Sequence, residues 1–220
     1  MRILRRHDIF ALNLPIFKHV FMAEIQKSLV LIKPDGVQRG LVGEIISRFE
    51  RVGLKLTAIK MVHPSMDDVD KHYALTEEWM RAVYDKAKTK NDAEGRPFPY
   101  ADHVGYGTEI KRGLMEFLVS SPIVAMVWEG EGAVAIIRKI VGGTEPAGAA
   151  PGTIRGDFSR DSYAQSNAEN RPLRNLIHAS GNPAEAAQEI PVWFTNVEVY
   201  QYEHVTDRVQ YDPEWFLPKP

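Results

Sequence analysis

The sequence predicts an α/β domain of the split β-α-β kind, and three observations lead there. Apolar runs of strand length alternate along the chain with stretches of helical period. The connections between them do not repeat the strand, helix, parallel strand order of a doubly wound sheet. Across 220 residues there is neither an internal repeat nor a long low-complexity linker, so residues 24–220 read as one domain decorated by insertions.

Each element has its own signal. Residues 26–32 read as a buried strand that ends at Lys33-Pro34-Asp35-Gly36, where proline and glycine force a turn. Leu41, Val42, Ile45, Ile46, Phe49 and Val52 then recur at helical spacing, and Gly53 supplies the stop. Leu54, Leu56 and Ala58 alternate as in a half-buried strand, and Ser65 with Asp68 makes a capping signal for a helix through Tyr73. Residues 77–107 are polar, dotted with aromatics and without a clear period, which predicts a partly helical insertion. Residues 109–120 look helical, and the almost wholly apolar residues 122–128 predict a central strand. Gly130 and Gly132 turn the chain into a helix, Ala133–Val141, closed by Gly142 and Gly143. A glycine- and proline-rich loop follows at 144–156, of the kind that is usually functional inside a compact domain. Leu176, Ile177 and His178 resemble a short strand, and Asn182-Pro183 opens a last helix to Ile190.

Composition removes several function classes. A formal net charge of -2, with its cations dispersed, offers no field for gripping a nucleic acid backbone. The absence of cysteine excludes disulfides, thiolate metal sites and cysteine nucleophiles, and it is compatible with the cytoplasmic location we expect. No stretch approaches the roughly 20 apolar residues that cross a bilayer. Residues 1–23 begin with Arg2, Arg5 and Arg6 and continue through an apolar region broken by His7, Asp8, Asn13, Pro15 and Lys18. A secretory leader needs a cleaner apolar segment and an organelle leader more serine, so an N-terminal extension, disordered or loosely docked, is expected there.

Two motifs compete for the chemistry. Gly130-Glu131-Gly132-Ala133-Val134-Ala135 matches a relaxed dinucleotide fingerprint, but no acidic strand end lies about 20 residues on and no parallel strand follows the helix. A tight strand-to-helix turn explains those glycines. No Walker loop occurs, so any bound phosphate has to be held by other means. The second motif is His178, apolar on one side and flanked by small residues on the other. Taken alone, it reads more readily as a packed core histidine. Lys33, Arg138, Thr144 and Arg155, each where a loop meets an element, supply groups suited to phosphate and favour a reactive histidine.

Three long segments, residues 32–40 (Ile-Lys-Pro-Asp-Gly-Val-Gln-Arg-Gly), 151–158 (Pro-Gly-Thr-Ile-Arg-Gly-Asp-Phe) and 175–180 (Asn-Leu-Ile-His-Ala-Ser), resemble the signature segments of nucleoside diphosphate kinases, in the family's order. The resemblance spans roughly residues 26–194. It implies a ferredoxin-like βαββαβ sandwich, with a four-stranded antiparallel sheet and helices on its faces. It also implies ping-pong transfer of the γ-phosphate of ATP or another nucleoside triphosphate to a nucleoside diphosphate, through a phosphohistidine on His178 and with broad base specificity. In this resemblance Glu189 is the carboxylate that orients the ring of His178. Arg138, Thr144 and Arg155 hold the β- and γ-phosphates with His72 nearby, Lys33 and Asn175 contact the ribose hydroxyl, and Tyr73 borders the phosphate site. Mg²⁺ is expected to ride on the nucleotide phosphates with few or no direct protein ligands. A homo-hexamer, a trimer of dimers joined through the loop at 144–156, is expected too. The chemistry suits a histidine, because a neutral imidazole is a free nucleophile near neutral pH and the covalent intermediate divides one transfer between anions into two.

The sequence also departs from the family pattern. The insertion at 77–107 displaces an Arg-Pro-Phe-Phe-like segment whose phenylalanine stacks on the base, and Arg96-Pro97-Phe98 lies too far along to inherit that role. A second insertion at 159–171 precedes Pro172, which takes the other side of the expected base cleft, and Gly181 stands where an acidic residue is usual. Two other function classes stay open: a phosphate-binding scaffold without turnover, and a nucleic acid binder. The first should have lost at least one of Lys33, Arg138, Arg155, Asn175 or His178, all of which are present. The second is disfavoured by the charge.

Overall fold

The computed structural model describes residues 24–93, 95–212 and 215–216; the expected extension at 1–23 lies outside the described residues. Four strands, β1 (Ile25–Ile32), β2 (Lys55–Val62), β3 (Ile123–Glu131) and β4 (Ile177–Ala179), form one sheet in the order β2-β3-β1-β4, every neighbouring pair antiparallel. Two short helices, α1 (Pro34–Gln38) and α2 (Val42–Glu50), lead from β1 to β2, and α6 (Ala133–Val141) follows β3 toward β4. Between β2 and β3, where this topology allows a simple hairpin, the chain builds α3 (Met66–His72), α4 (Glu77–Ala93) and α5 (His103–Leu118). Helices α7 (Ile154–Phe158) and α8 (Tyr163–Ala168) precede β4, and α9 (Pro183–Trp193) and α10 (Asp207–Tyr211) follow it. The split β-α-β expectation and the four-stranded antiparallel sheet are borne out.

Both faces of the sheet are covered, which explains why its inner strands read as continuous apolar runs although their neighbours are antiparallel. Val30, Ile32, Val124, Met126 and Trp128 point to α2 and α6, where Ile45, Phe49, Ile137 and Val141 meet them. Leu29, Leu31, Ile123, Ala125 and Val127 point the other way, to Val69, Leu118, Trp193 and Phe194. The period of two is intact on each strand; it is hidden because both phases are apolar. On β2 a bulge between Leu56 and Ala58 puts Thr57 and Ala58 inward in succession, and beyond it Ile59 and Met61 face outward. The outer edge of β2 is partly closed by the C-terminal segment, where Tyr200 N–H donates to Thr57 O at 2.8 Å and Tyr202 Oη to Leu56 O at 2.9 Å.

Three elements differ in extent from the sequence expectation. The turn at Lys33–Gly36 is the start of α1, with Pro34 in its first turn. Helix α5 begins at His103, capped by Asp102, whose side chain accepts from Gly105 N. Gly105 and Gly107 disguise that start, and Gly107 is needed because a Cβ there would lie 2.6 Å from Met80 Cγ on α4. Helix α4 buries none of its residues, so its 17 residues show no apolar stripe from which a helix could be read.

Candidate active site

His178 lies in the middle of the three-residue β4, at the edge of the sheet, paired in register with Leu31. Its ring is half-buried, and Glu189 on α9 brings Oε1 to 2.9 Å from Nε2. The approach lacks hydrogen-bond alignment, and Nε2 has no hydrogen-bond partner among the described residues; the contact is one of charge and proximity. The other carboxylate oxygen is fixed, since Ser180 Oγ donates to Glu189 Oε2 at 2.6 Å while itself accepting from Leu29 N at 3.1 Å. Ser180 thus ties the carboxylate to the central strand of the sheet. The approach to β4 is strained: Leu176, fully buried, has φ +69°. It is held there by Asp35 Oδ2, which accepts from Leu176 N, and by Lys33 N, which donates to Leu176 O. Gly36 permits this, because a Cβ on it would meet Leu176 O at 2.9 Å.

His72 ends α3, whose start is fixed by a full capping box between Ser65 and Asp68. Its ring stands edge-on to that of His178, centroids 4.5 Å apart, and edge-on to Tyr73 at 4.7 Å. Burial, then the charges of His178 and Lys33, hold His72 well below the usual imidazole range, so it is neutral. Burial and the negative Glu189 push the Tyr73 hydroxyl above its ordinary value, which keeps it a proton-bearing donor.

The cationic side of the site is a connected chain. Lys33 Nζ donates to Asn175 Oδ1 at 2.8 Å, and Asn175 Nδ2 donates to the Thr144 carbonyl at 3.0 Å. Arg155 is buried and turned inward: Nε donates to Asn175 O at 3.1 Å, one terminal nitrogen to Gly142 O at 3.1 Å, the other to Ile177 O at 2.6 Å. It therefore organises the backbone on both sides of β4, while no carboxylate among the described residues is in contact with its charge. Desolvation, followed by the charge of Arg138, brings its pKa down to about 10. Desolvation and then the positive Arg155 bring Lys33 down to about 8, against a smaller opposing effect of Asp35. Arg138, on the exposed face of the last turn of α6, completes the set. The structure thus brings together Lys33, His72, Tyr73, Arg138, Thr144, Arg155, Asn175, His178 and Glu189 around the C-terminal end of β1 and the short β4.

Ser180 and Trp193 were missed by sequence reasoning as site residues. Ser180 lies inside the segment 175–180 with nothing local to mark its role, and Trp193, whose Nε1 donates to His72 Nδ1 at 3.3 Å, carries no local signal at all. The segments at 77–107 and 159–171 meet each other next to Thr144. Lys111 on α5 pairs with Asp70, two residues before His72, at 2.8 Å, and a Cβ on Gly113 would touch Pro172. Lys86 and Lys90 of α4 lie over the ring of Tyr163 on α8, and Glu145, next to Thr144, accepts from Tyr163 N. Phe98 is engaged by Tyr84, Tyr100 and Tyr106 within its own insertion. The fingerprint at Gly130–Ala135 is a turn: Gly132 adopts φ +59° at the start of α6, and a Cβ on Gly130 would press Leu54.

A carboxylate-backed histidine beside a cluster of cations, on an antiparallel α/β sandwich, defines a phosphate-handling enzyme. The family model for nucleoside diphosphate kinase matches residues 26–90 and 86–199. A nucleoside diphosphate kinase of Pyrobaculum aerophilum is 47% identical over 182 residues, covering 80% of this chain and 99% of that protein. The crystal structure of an NDP kinase from the same organism superposes with a TM-score of 0.78 at 43% identity, over 81% of this chain and 100% of the other. A transition-state mimic of nucleoside-diphosphate kinase from Borrelia burgdorferi, with bound vanadate and ADP, gives a TM-score of 0.67 at 38% identity, over 83% and 95% of the two chains. The chain belongs to the nucleoside diphosphate kinase family. It is an enzyme, a phosphotransferase of that family.

Proposed function

We propose that this enzyme moves the γ-phosphate of a nucleoside triphosphate to a nucleoside diphosphate in two displacements, through a phosphohistidine on His178. The observation that carries the reading is the Glu189 carboxylate 2.9 Å from His178 Nε2, with the buried cations Lys33 and Arg155 bonded to Asn175 and Ile177 on the segment that leads to the same histidine. Glu189 lies against Nε2, which leaves Nδ1 to attack. As the bond from Nδ1 to phosphorus forms and the bond to the β-phosphate oxygen breaks, positive charge grows on the ring and Glu189 stabilises it. Arg138 and Arg155 stabilise the charge on the phosphoryl and leaving oxygens, Lys33 adds its positive charge from beside the ribose hydroxyl it contacts, and a diphosphate then takes the group by the reverse step. Thr144, Asn175, His72 and Tyr73 position the nucleotide in this scheme.

Mg²⁺ fits the reading only as an ion carried by the nucleotide. The cradle presents Lys33, Arg138 and Arg155 rather than paired carboxylates, and the cluster of His72, His178 and Glu189 holds two imidazoles, which Mg²⁺ does not favour. It would neutralise phosphate charge when it enters with the substrate. Broad base specificity follows from stacking without base-edge hydrogen bonds. The reading includes one domain over residues 24–220 with insertions at 77–107 and 159–171, which the two overlapping stretches of the family match support. A homo-hexamer belongs to it as well, and exposed Ile59, Met61, Val197 and Tyr200 on and beside the outer strand support self-association. No described helix is long and apolar enough to cross a membrane.

The test is to incubate the protein with Mg²⁺ and γ-labelled ATP and look for acid-labile label on the protein that chases to GTP when GDP is added. A folded, nucleotide-binding protein that takes no label would establish the scaffold reading instead.

Lys33 gives a second expected result. With its pKa near 8 in the empty site, it is part-deprotonated at pH 8 to 9, and a nucleotide phosphate nearby restores the charged form. Binding should therefore take up protons in that window and none at pH 6, where Lys33 is already charged. Calorimetry of ADP binding in buffers of different ionisation enthalpy measures this; equal uptake at both pH values, or its persistence in Lys33→Met, would contradict it.

A further inference from the structure

His72 carries an unmet hydrogen-bond donor, and Trp193 is the residue that puts it there. The indole Nε1–H donates to His72 Nδ1 at 3.3 Å, and both residues are more than nine-tenths buried. An indole nitrogen can only donate. His72 Nδ1 is therefore the bare nitrogen, and the single proton of the neutral ring sits on Nε2. That Nε2 is buried and has no hydrogen-bond partner among the described residues. A buried N–H without an acceptor works against folding. Its retention with the ring 4.5 Å from that of His178 points to an acceptor that arrives with the substrate.

We propose that Trp193 is a positioning residue that locks His72 in the Nε2–H tautomer, so that His72 offers a neutral donor to an oxygen of the phosphoryl group reaching His178. The identity of the acceptor rests on the phosphotransfer reading above; the tautomer lock does not.

The lock has a second effect. One nitrogen of His72, one of His178 and a carboxylate oxygen of Glu189 lie within 4.8 Å of one another, a donor set that suits a zinc-class ion. Either nitrogen of His72 is closed to such an ion while Trp193 is present. Nδ1 faces the indole N–H, and freeing Nε2 would move its proton to Nδ1, donor against donor. Trp193 thus protects the nucleophile from capture by a metal.

The variants are Trp193→Phe and, to keep ring shape while removing only the N–H, replacement of Trp193 by β-(3-benzothienyl)alanine; the second decides if the first does not fold. Long-range proton–nitrogen NMR should find His72 protonated at Nε2 in the wild type and at Nδ1, or mixed, in the variant. The variant should also become sensitive to Zn²⁺, with inhibition or a bound ion at concentrations at least tenfold below those affecting wild type. In turnover, Trp193→Phe should lower kcat about tenfold with KM little changed, the effect of one weakened hydrogen bond to a charged acceptor. The amide of His72→Gln has no tautomer to lock, so adding Trp193→Phe to it should cost nothing further. A wild-type His72 protonated at Nδ1, unchanged zinc sensitivity in a folded variant, or multiplying effects in the double variant would each overturn the proposal. If the wild type forms no phosphoenzyme, the phosphotransfer reading fails, while the tautomer and zinc measurements still decide the lock.

Discussion

The substitution His178→Asn is expected to leave a folded protein with activity lowered by at least about 10⁴-fold, because it removes the attacking nitrogen rather than a group that assists it. The stability should hardly change. The His178 ring is only partly buried, Nε2 has no hydrogen bond among the described residues to lose, and Glu189 keeps its bond from Ser180. The fate of Glu189 separates this change from its neighbours. Glu189→Gln should retain labelling but slow it by about 10²-fold, since the amide can still hold Ser180 but cannot offset positive charge on the ring. Kinetics of nucleotide-dependent label transfer, with thermal melts of each variant, measure both. A His178→Asn variant that still takes acid-labile label would mean that another side chain is the nucleophile, and the assignment of His178 would fall.

The succession of strands and helices along the chain and most of the candidate site were legible in the sequence because both are written locally. Proline and glycine punctuate β1, the Ser65–Asp68 pair marks the start of α3, and Asn182-Pro183 marks α9, each within four residues. His178, Arg155 and Lys33 sit in long contiguous segments whose resemblance needs no knowledge of contacts. What stayed hidden depends on residues distant in the chain. The bond from Trp193 to His72 spans 121 positions, and that from Leu29 to Ser180 spans 151. The strained φ of Leu176 is invisible too, since leucine carries no turn signal and its conformation is imposed by Asp35 and Lys33, distant in the chain. The insertion at 77–107 was opaque for a different reason. Helix α4 faces solvent and α5, and its aromatic partners Tyr84, Phe98, Tyr100 and Tyr106 pack with one another rather than along one helical stripe.

Arg155 should prove to be as much a structural residue as a phosphate ligand, and the two roles can be separated. Its guanidinium reaches the carbonyls of Asn175, Gly142, Gly143 and Ile177, so Arg155→Ala takes the donor from four acceptors and opens a cavity beneath β4. Each charge-assisted bond is worth about 1.5–3 kcal/mol, but the variant also escapes the cost of desolvating a cation that no carboxylate among the described residues touches. The losses win, because the carbonyls of Asn175 and Ile177 stay buried whether or not the charge is there. A net destabilisation of about 3 kcal/mol is expected, which lowers the Tm by roughly 10 °C for a chain of this size. Arg155→Lys discriminates between the roles. Lysine keeps the charge, yet its single nitrogen cannot reach carbonyls spread over two segments as the planar fork does. It should recover part of the activity, which Arg155→Ala loses by about 10³-fold, while restoring less than half of the stability. If Arg155→Lys instead melts like the wild type, the fork is not what holds β4 to the loop at 142–143. If Arg155→Ala melts like the wild type, neighbouring groups or water replace those bonds, and Arg155 serves the substrate alone.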